Sequence, residues 1–197
     1  MKIGVLALQG DFLEHQLMLK NLGVEATQVR LPDHLLSLDG LIIPGGESTT
    51  IGKLAQDFGL IEPLIRFGKE KAIWGTCAGA ILLAKDIQRD QPILGLMDIQ
   101  VSRNAFGRQV DSFEIALEVP FLKTMDLNGR PFRAVFIRAP IIQNVYGKAE
   151  VILTLEDGSI VAARQNKLLA TSFHPELSGD DRFHRYFLES VISQSER

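Results

Sequence analysis

In the first half of the chain, short apolar runs at residues 2–8, 26–30, 40–43 and 72–75 alternate with stretches of helical spacing at 12–22, 49–58 and 62–71. Runs of that length bounded by turn residues read as buried strands, and the spacing between them reads as helices with one apolar face. Such a β-α-β order calls for right-handed crossovers and a largely parallel sheet. The expected fold is therefore α/β, a doubly wound, mostly parallel (flavodoxin-like) sheet with helices on both faces. Gly23 stops the first helix, and Pro63 suits a first helical turn. In the second half, residues 97–103, 111–117, 132–137, 150–155, 159–165 and 168–172 read as strands with few helices between them, so some pair antiparallel. Asp157-Gly158 is a hairpin signal, Asn128-Gly129 a weaker turn signal before Pro131, and residues 182–194 close the chain as an amphipathic helix.

With 197 residues and no internal repeat or separating linker, one domain covering 1–197 is expected. The balance of 21 basic and 24 acidic side chains gives a net charge of -3, without the basic excess that phosphate backbones require, so no nucleic-acid partner is expected. No apolar run reaches membrane length, and Gln9-Gly10-Asp11 interrupts the amino-terminal apolar stretch too early for a signal-peptide core. A single cysteine, Cys77, cannot close an intrachain disulfide, and no Cys/His cluster offers enough ligands for a structural zinc. A cytoplasmic location follows as an expectation, with no membrane association, metal or cofactor.

In doubly wound sheets, ligands bind beyond the carboxyl ends of the strands, and four loops there are unusual: Gln9-Gly10-Asp11, Pro44-Gly45-Gly46-Glu47-Ser48, Gly75-Thr76-Cys77-Ala78-Gly79 and His174-Pro175-Glu176. The third has the form of a nucleophile elbow with sulfur in place of oxygen. Its glycines stand two residues to either side of Cys77, between an apolar strand and the apolar helical run at 80–84. A thiol at a helix amino terminus is expected to have a pKa drawn toward neutral. His174 and Glu176 follow a strand, where residues two apart project to one side, so the carboxylate can hold one imidazole nitrogen while the other faces Cys77. In the glycine-rich loop, the Gly46 N–H can join the Ala78 N–H as the donor pair for a tetrahedral oxyanion, with Ser48 or Thr49 capping the helix that follows. A Walker-type phosphate loop is excluded by the missing Lys-Ser/Thr pair. His15, His34 and His184 are expected to be ordinary solvated side chains on a helix, a polar connection and a surface helix.

Pro-Gly-Gly-Glu-Ser-Thr-Thr from Pro44, Gly-Thr-Cys-Ala-Gly from Gly75 and Ser-Phe-His-Pro-Glu-Leu from Ser172 together resemble a triad-type (class I) glutamine amidotransferase domain. The Gly4 to Gly10 stretch, the run from Arg103 to Glu114 and the Val135 to Pro140 stretch are further similar to the glutaminase subunits of pyridoxal 5'-phosphate synthases. The resemblance runs from Lys2 to about Phe187. It implies hydrolysis of L-glutamine by Cys77 as nucleophile, His174 as base and later acid and Glu176 as orienting carboxylate. It also implies that Gly46 and Ala78 supply the oxyanion donors, and that Gly46, Glu47, Ser48, Arg103, Ile137 and Arg138 bind glutamine. The ammonium of a free amino acid wants a carboxylate such as Glu47, and its carboxylate wants an arginine. The implied protein partner is the synthase subunit, which receives the ammonia. Its docking is expected to complete the oxyanion hole through the loop at Gln9 and Gly10.

The connection at 121–131 is somewhat longer, and the stretch 141–146 more apolar, than that pattern leads one to expect. The alternatives to be separated are a glutaminase for another synthase, a cysteine peptidase on a similar sheet, and a scaffold or sensor that binds without turnover.

Overall fold

The computed structural model describes residues 1–103, 112–125 and 128–192, with the side chains of 190 and 191 outside the description. The first half runs β1 (Lys2–Leu6), α1 (Phe12–Asn21), β2 (Glu25–Val29), β3 (Gly40–Ile43), α2 (Ser48–Asp57), α3 (Ile61–Glu70), β4 (Ala72–Thr76) and α4 (Ala78–Leu83). The second half runs β5 (Ala84–Asp86), β6 (Met97–Ser102), β7 (Ser112–Leu117), β8 (Phe132–Ile137), β9 (Ile141–Val145), β10 (Glu150–Thr154), β11 (Ile160–Gln165), β12 (Leu168–Thr171) and α5 (Arg182–Tyr186). Wider π-helical turns, Phe187–Ile192, continue α5.

The main sheet has the order β2-β1-β3-β4-β12-β11-β9-β6-β5, with β10 paired to β11. The run from β2 to β12 is parallel throughout: the connections among β1 to β4 cross over a face of the sheet, whereas β12 enters from the short hairpin after β11. Beyond it β11 turns antiparallel to β12, and β9 pairs antiparallel with both β11 and β6. A separate antiparallel pair, β7 and β8, lies off the main sheet. The expected α/β fold is thus the observed one, including the mixture of directions in the second half.

Side chains alternate across the sheet as strand geometry requires, and they build two cores. Leu41 and Ile43 of β3, Ile73 of β4 and Ala170 of β12 join Ile51, Leu64 and Ile81 on the face covered by α2, α3 and α4. Ile42, Trp74 and Leu169, pointing the other way, join Leu19, Phe132, Phe136, Phe183 and Phe187. Gly23 has a φ of 71°, a conformation that ends α1 without a Cβ penalty. The Asp157-Gly158 hairpin forms between β10 and β11, with Gly158 at φ 85°. Gly129 has a φ of 60°, as the Asn-Gly signal requires.

Two strands escape the sequence reading. Ala84 was expected to finish a helix but starts β5 beside Met97. The apolar stretch at 141–146 is largely β9, and its apolarity is accounted for by Ile142, buried opposite Ile160. Position 111 of the expected strand at 111–117, residues 104–111 of the Arg103 to Glu114 run and positions 193–194 of the last helix lie outside the described residues.

Candidate active site

The four unusual loops follow β1, β3, β4 and β12, which lie side by side or one apart in the parallel part of the sheet, so their carboxyl ends open on one place. There they line a cleft of about 370 Å³ with Gln9, Gly10, Asp11, Gly46, Glu47, Ser48, Cys77, Ala78, Arg103, Ile137, Arg138 and His174 among its walls. Every candidate residue named above except Glu176 faces this cleft, and Glu176 stands buried behind His174.

Cys77 has φ 48° and ψ -105°, a strained conformation for a residue with a Cβ, and it caps α4. Its N–H donates to the Thr171 carbonyl at 2.8 Å, so the bend is tied to β12. The flanking glycines are spatial necessities: a Cβ on Gly79 would stand 2.0 Å from the Ile43 carbonyl oxygen, and one on Gly75 2.4 Å from that of Gly79. Ala78, the first residue of α4, has an N–H with no acceptor inside the helix. Gly46 has a φ of 148°, and a Cβ there would come within 2.6 Å of Gln9 Oε1, which accepts the Glu47 N–H at 2.7 Å. Gly10, at φ 100°, packs so closely that a Cβ would fall 1.8 Å from the Gly45 carbonyl oxygen. The loop after β1 therefore clamps the glycine loop after β3.

His174 is buried, and its Nδ1 lies 2.7 Å from Glu176 Oε1 and 3.3 Å from Asp11 Oδ2. The imidazole and carboxylate meet across a 3-10 turn, Pro175–Leu177, rather than along the extended segment expected, because Pro175 opens that turn. Burial alone would lower the imidazole pKa, but hydrogen bonds to Asp11, Cys77 and Glu176 push it up to about 12. The ring is an imidazolium at neutral pH, flanked by the thiol on one side and two carboxylates on the other. Desolvation in turn raises the Glu176 pKa, and the hydrogen bond to His174 opposes that rise. Asp11, His174 and Glu176 bring three ligand-type atoms within 4.8 Å of one another, with the imidazole Nδ1 engaged by Glu176 Oε1 at 2.7 Å.

Glu47 caps α2, accepting from the N–H groups of Thr49 and Thr50 at 3.2 and 2.7 Å, in place of the expected Ser48 or Thr49. Its carboxylate also takes Arg103 Nη2 at 2.8 Å, while Arg103 Nη1 donates to Thr49 Oγ1 at 3.0 Å. Burial pulls the Glu47 pKa up, but its bonds to Thr50, Thr49 and Arg103 dominate and hold it at about 2. Arg103 is thus already paired with Glu47. Arg138, exposed at φ 42° just past β8, makes no hydrogen bond or ion pair among the described residues.

His34 is exposed as expected, but His15 and His184 overturn the solvated reading, since both are fully buried. His15 Nδ1 lies 2.9 Å from His184 Nε2, and His15 Nε2 lies 3.1 Å from Thr76 Oγ1 and 3.2 Å from Glu176 Oε2. Trp74 packs edge-on against both rings, at centroid distances of 5.7 and 5.0 Å. The physical reason is that α1 turns the face carrying His15, Met18 and Leu19 inward, and α5 is buried nearly all round. The signal for His15 was its place in the apolar spacing with Leu19 and Leu22; nothing local marked His184.

An elbow cysteine at the carboxyl edge of a doubly wound sheet, sharing a cleft with a histidine that is held by a buried glutamate, is a constellation suited to nucleophilic acyl chemistry, and the chain belongs to the SNO glutamine amidotransferase family, matched over residues 5–193. It is 60% identical over 193 residues to pyridoxal 5'-phosphate synthase subunit PdxT of Herpetosiphon aurantiacus, covering 95% of this chain and 99% of that protein. It is 55% identical over 193 residues to the subunit of the same name from Carboxydothermus hydrogenoformans, covering 97% and 98%. A crystal structure described as a glutamine amidotransferase superposes with a TM-score of 0.89 at 51% identity, covering 97% of this chain and 98% of that one.

Proposed function

We propose that this chain, working as one domain over 1–197, is the glutaminase subunit of a pyridoxal 5'-phosphate synthase, hydrolysing L-glutamine to L-glutamate and ammonia for vitamin B6 biosynthesis. The observation that carries this reading is the buried His174, held by Glu176 at 2.7 Å through Nδ1 and lining the same cleft as Cys77 at its strained elbow.

The Cys77 thiolate attacks the side-chain amide carbon, and the carbonyl π electrons move onto oxygen, where the Gly46 and Ala78 N–H groups receive them. As the intermediate collapses, the C–N bond breaks and the His174 imidazolium gives its proton to the departing nitrogen, releasing ammonia. The γ-glutamyl thioester remains. Neutral His174 then takes a proton from water as the oxygen attacks the thioester carbon; the C–S bond breaks, glutamate leaves and the thiolate–imidazolium pair is restored. Glu176 holds the ring and stabilises its charge in both stages. Gly46, Glu47, Ser48, Arg103, Ile137 and Arg138 shape the glutamine pocket. Because Arg103 is tied to Glu47, Arg138 is, among the described residues lining the cleft, the cation free to take the substrate carboxylate.

The synthase seats against the Gln9–Gly10 loop, whose clamp on Gly46 and Glu47 ties docking to the oxyanion donors. A reactive thiolate suits a reducing compartment, so the chain works in the cytoplasm; among the described residues, no helix is long and apolar enough to cross a membrane. The test has two arms. An electrophilic glutamine analogue is expected to alkylate Cys77, and ammonia release is expected to rise strongly when the synthase is added. An unmodified Cys77 in a folded chain would remove the catalytic reading, and equal rates with and without synthase would remove the gating.

A further inference from the structure

Behind the three residues of the proposed mechanism stands a second layer of polar groups that the mechanism leaves unused. Glu176 is fully shielded from solvent, and its Oε2 makes no normally aligned hydrogen bond among the described residues. His15 Nε2 lies 3.2 Å from that oxygen, somewhat off line because the same nitrogen also meets Thr76 Oγ1 at 3.1 Å. On its other side His15 Nδ1 meets His184 Nε2 at 2.9 Å, and His184 Nδ1 is buried without a hydrogen bond among the described residues.

These contacts fix where the protons sit. Both rings are held toward the neutral form, because burial lowers the pKa of each, and the charges of His184 and His174 lower that of His15 further. One of the two facing nitrogens must donate and the other accept. Were the proton on His15 Nδ1, His15 Nε2 would turn a lone pair toward a carboxylate oxygen, and His184 Nδ1 would become a buried N–H with no acceptor. With the protons on both Nε2 atoms, His184 donates to His15, and His15 donates to the Thr76 and Glu176 oxygens. The unpaired atom is then a lone pair, which costs less than an orphaned N–H.

We infer that His15 is a positioning residue for Glu176: its Nε2–H, shared between Thr76 Oγ1 and Glu176 Oε2, holds the carboxylate so that Oε1 faces His174, and His184 fixes the tautomer that makes this possible. The inference builds on the glutaminase reading. The titratable groups bearing on Glu176 are His174 in front, Asp11 just ahead of α1, His15 from α1, His184 from α5 behind His15, and Cys77 beyond His174. His15 adds the donor that an ionised carboxylate needs in a dry place.

The test compares two substitutions of similar size in the chain assayed with its synthase. The amide nitrogen of His15→Gln reaches about where Nε2 lies, and that of His15→Asn only about where Nδ1 lies. His15→Asn is expected to lose about tenfold in kcat, as loss of one charge-assisted hydrogen bond predicts. Its acid limb of kcat/KM moves to higher pH, because a carboxylate without its donor holds a proton more tightly. His15→Gln is expected to keep most of the rate and the original limb. Equal rates and equal limbs in the two variants would overturn the inference, as would equal losses in both when thermal unfolding shows both folded. Nitrogen-15 shifts of the wild-type chain decide it independently of folding and turnover: both rings are expected as Nε2–H tautomers that do not titrate between about pH 5 and 8. A proton on His15 Nδ1 would overturn it. A wild type that releases no ammonia would instead count against the glutaminase reading, and the tautomers would still decide this one.

Discussion

The charge on His174 is decided by oxygen atoms from two different loops, Glu176 Oε1 at 2.7 Å and Asp11 Oδ2 at 3.3 Å. Replacing Glu176 with glutamine exchanges an anion for a dipole, and an amide can turn its NH2 toward Nδ1 and favour the wrong tautomer. The Glu176→Gln chain is expected to lose about a thousandfold or more in kcat while it still binds glutamine, measured as ammonia release with the synthase present. A loss below tenfold would show that the carboxylate does not orient the base. At this scale the sequence was a good guide where the chemistry is local. Cys77 carries its two glycines with it, and His174 and Glu176 stand two residues apart. The partners of His15 and His184 were illegible for the opposite reason: they lie 61 and 169 positions away, and only the folded sheet brings them together. Glu47 shows a further limit, since no spacing rule says that a residue beside the glycine-rich loop is already spent on capping a helix and holding Arg103.

The elements that place the site are held by close backbone contacts that tolerate no side chain. At Gly10 a methyl group would meet the Gly45 carbonyl at 1.8 Å, whereas at Gly23, also with positive φ, nothing lies within 4 Å. Gly23→Ala is expected to cost about 1 kcal/mol of stability through backbone strain alone and to leave the rate intact. Gly10→Ala is expected to cost about 1–3 kcal/mol and to displace the glycine loop, lowering kcat/KM about tenfold or more. Thermal unfolding and ammonia release on the two variants check this, and equally mild effects would mean that the clamp between the two loops is dispensable. The parallel half was readable because each strand is apolar, short and followed by a helical period. In the antiparallel half, β5 spans three residues, too few to show a period, and β9 alternates weakly because Gln143 and Asn144 face outward.

Across the whole molecule, the histidines oppose one another in their effect on stability. His15 and His184 titrate below the ordinary value of 6.5 when folded, His184 at about 3. The unfolded chain therefore takes up protons that the folded chain refuses as the pH falls through 6.5. Their contribution is present above that value and declines below it, by about 1.4 kcal/mol per pH unit for each ring. His174 has the reverse sign: raised to about 12, it stabilises the fold fully below 6.5 and progressively less as the pH climbs. Urea midpoints are thus expected to peak near neutrality and to fall on both sides. His184→Phe, which removes one of the two refused protons, is expected to roughly halve the steepness of the acid side; an unchanged slope would mean that the buried ring is not held neutral.

The amino-terminal turn of α1 has a consequence for how the site responds to movement of the loop before it. Asp11 and His15 stand one turn apart on it, the first against the ring of His174 and the second against the carboxylate of Glu176. A displacement of the loop ahead of that turn would therefore reach the histidine and the carboxylate behind it together.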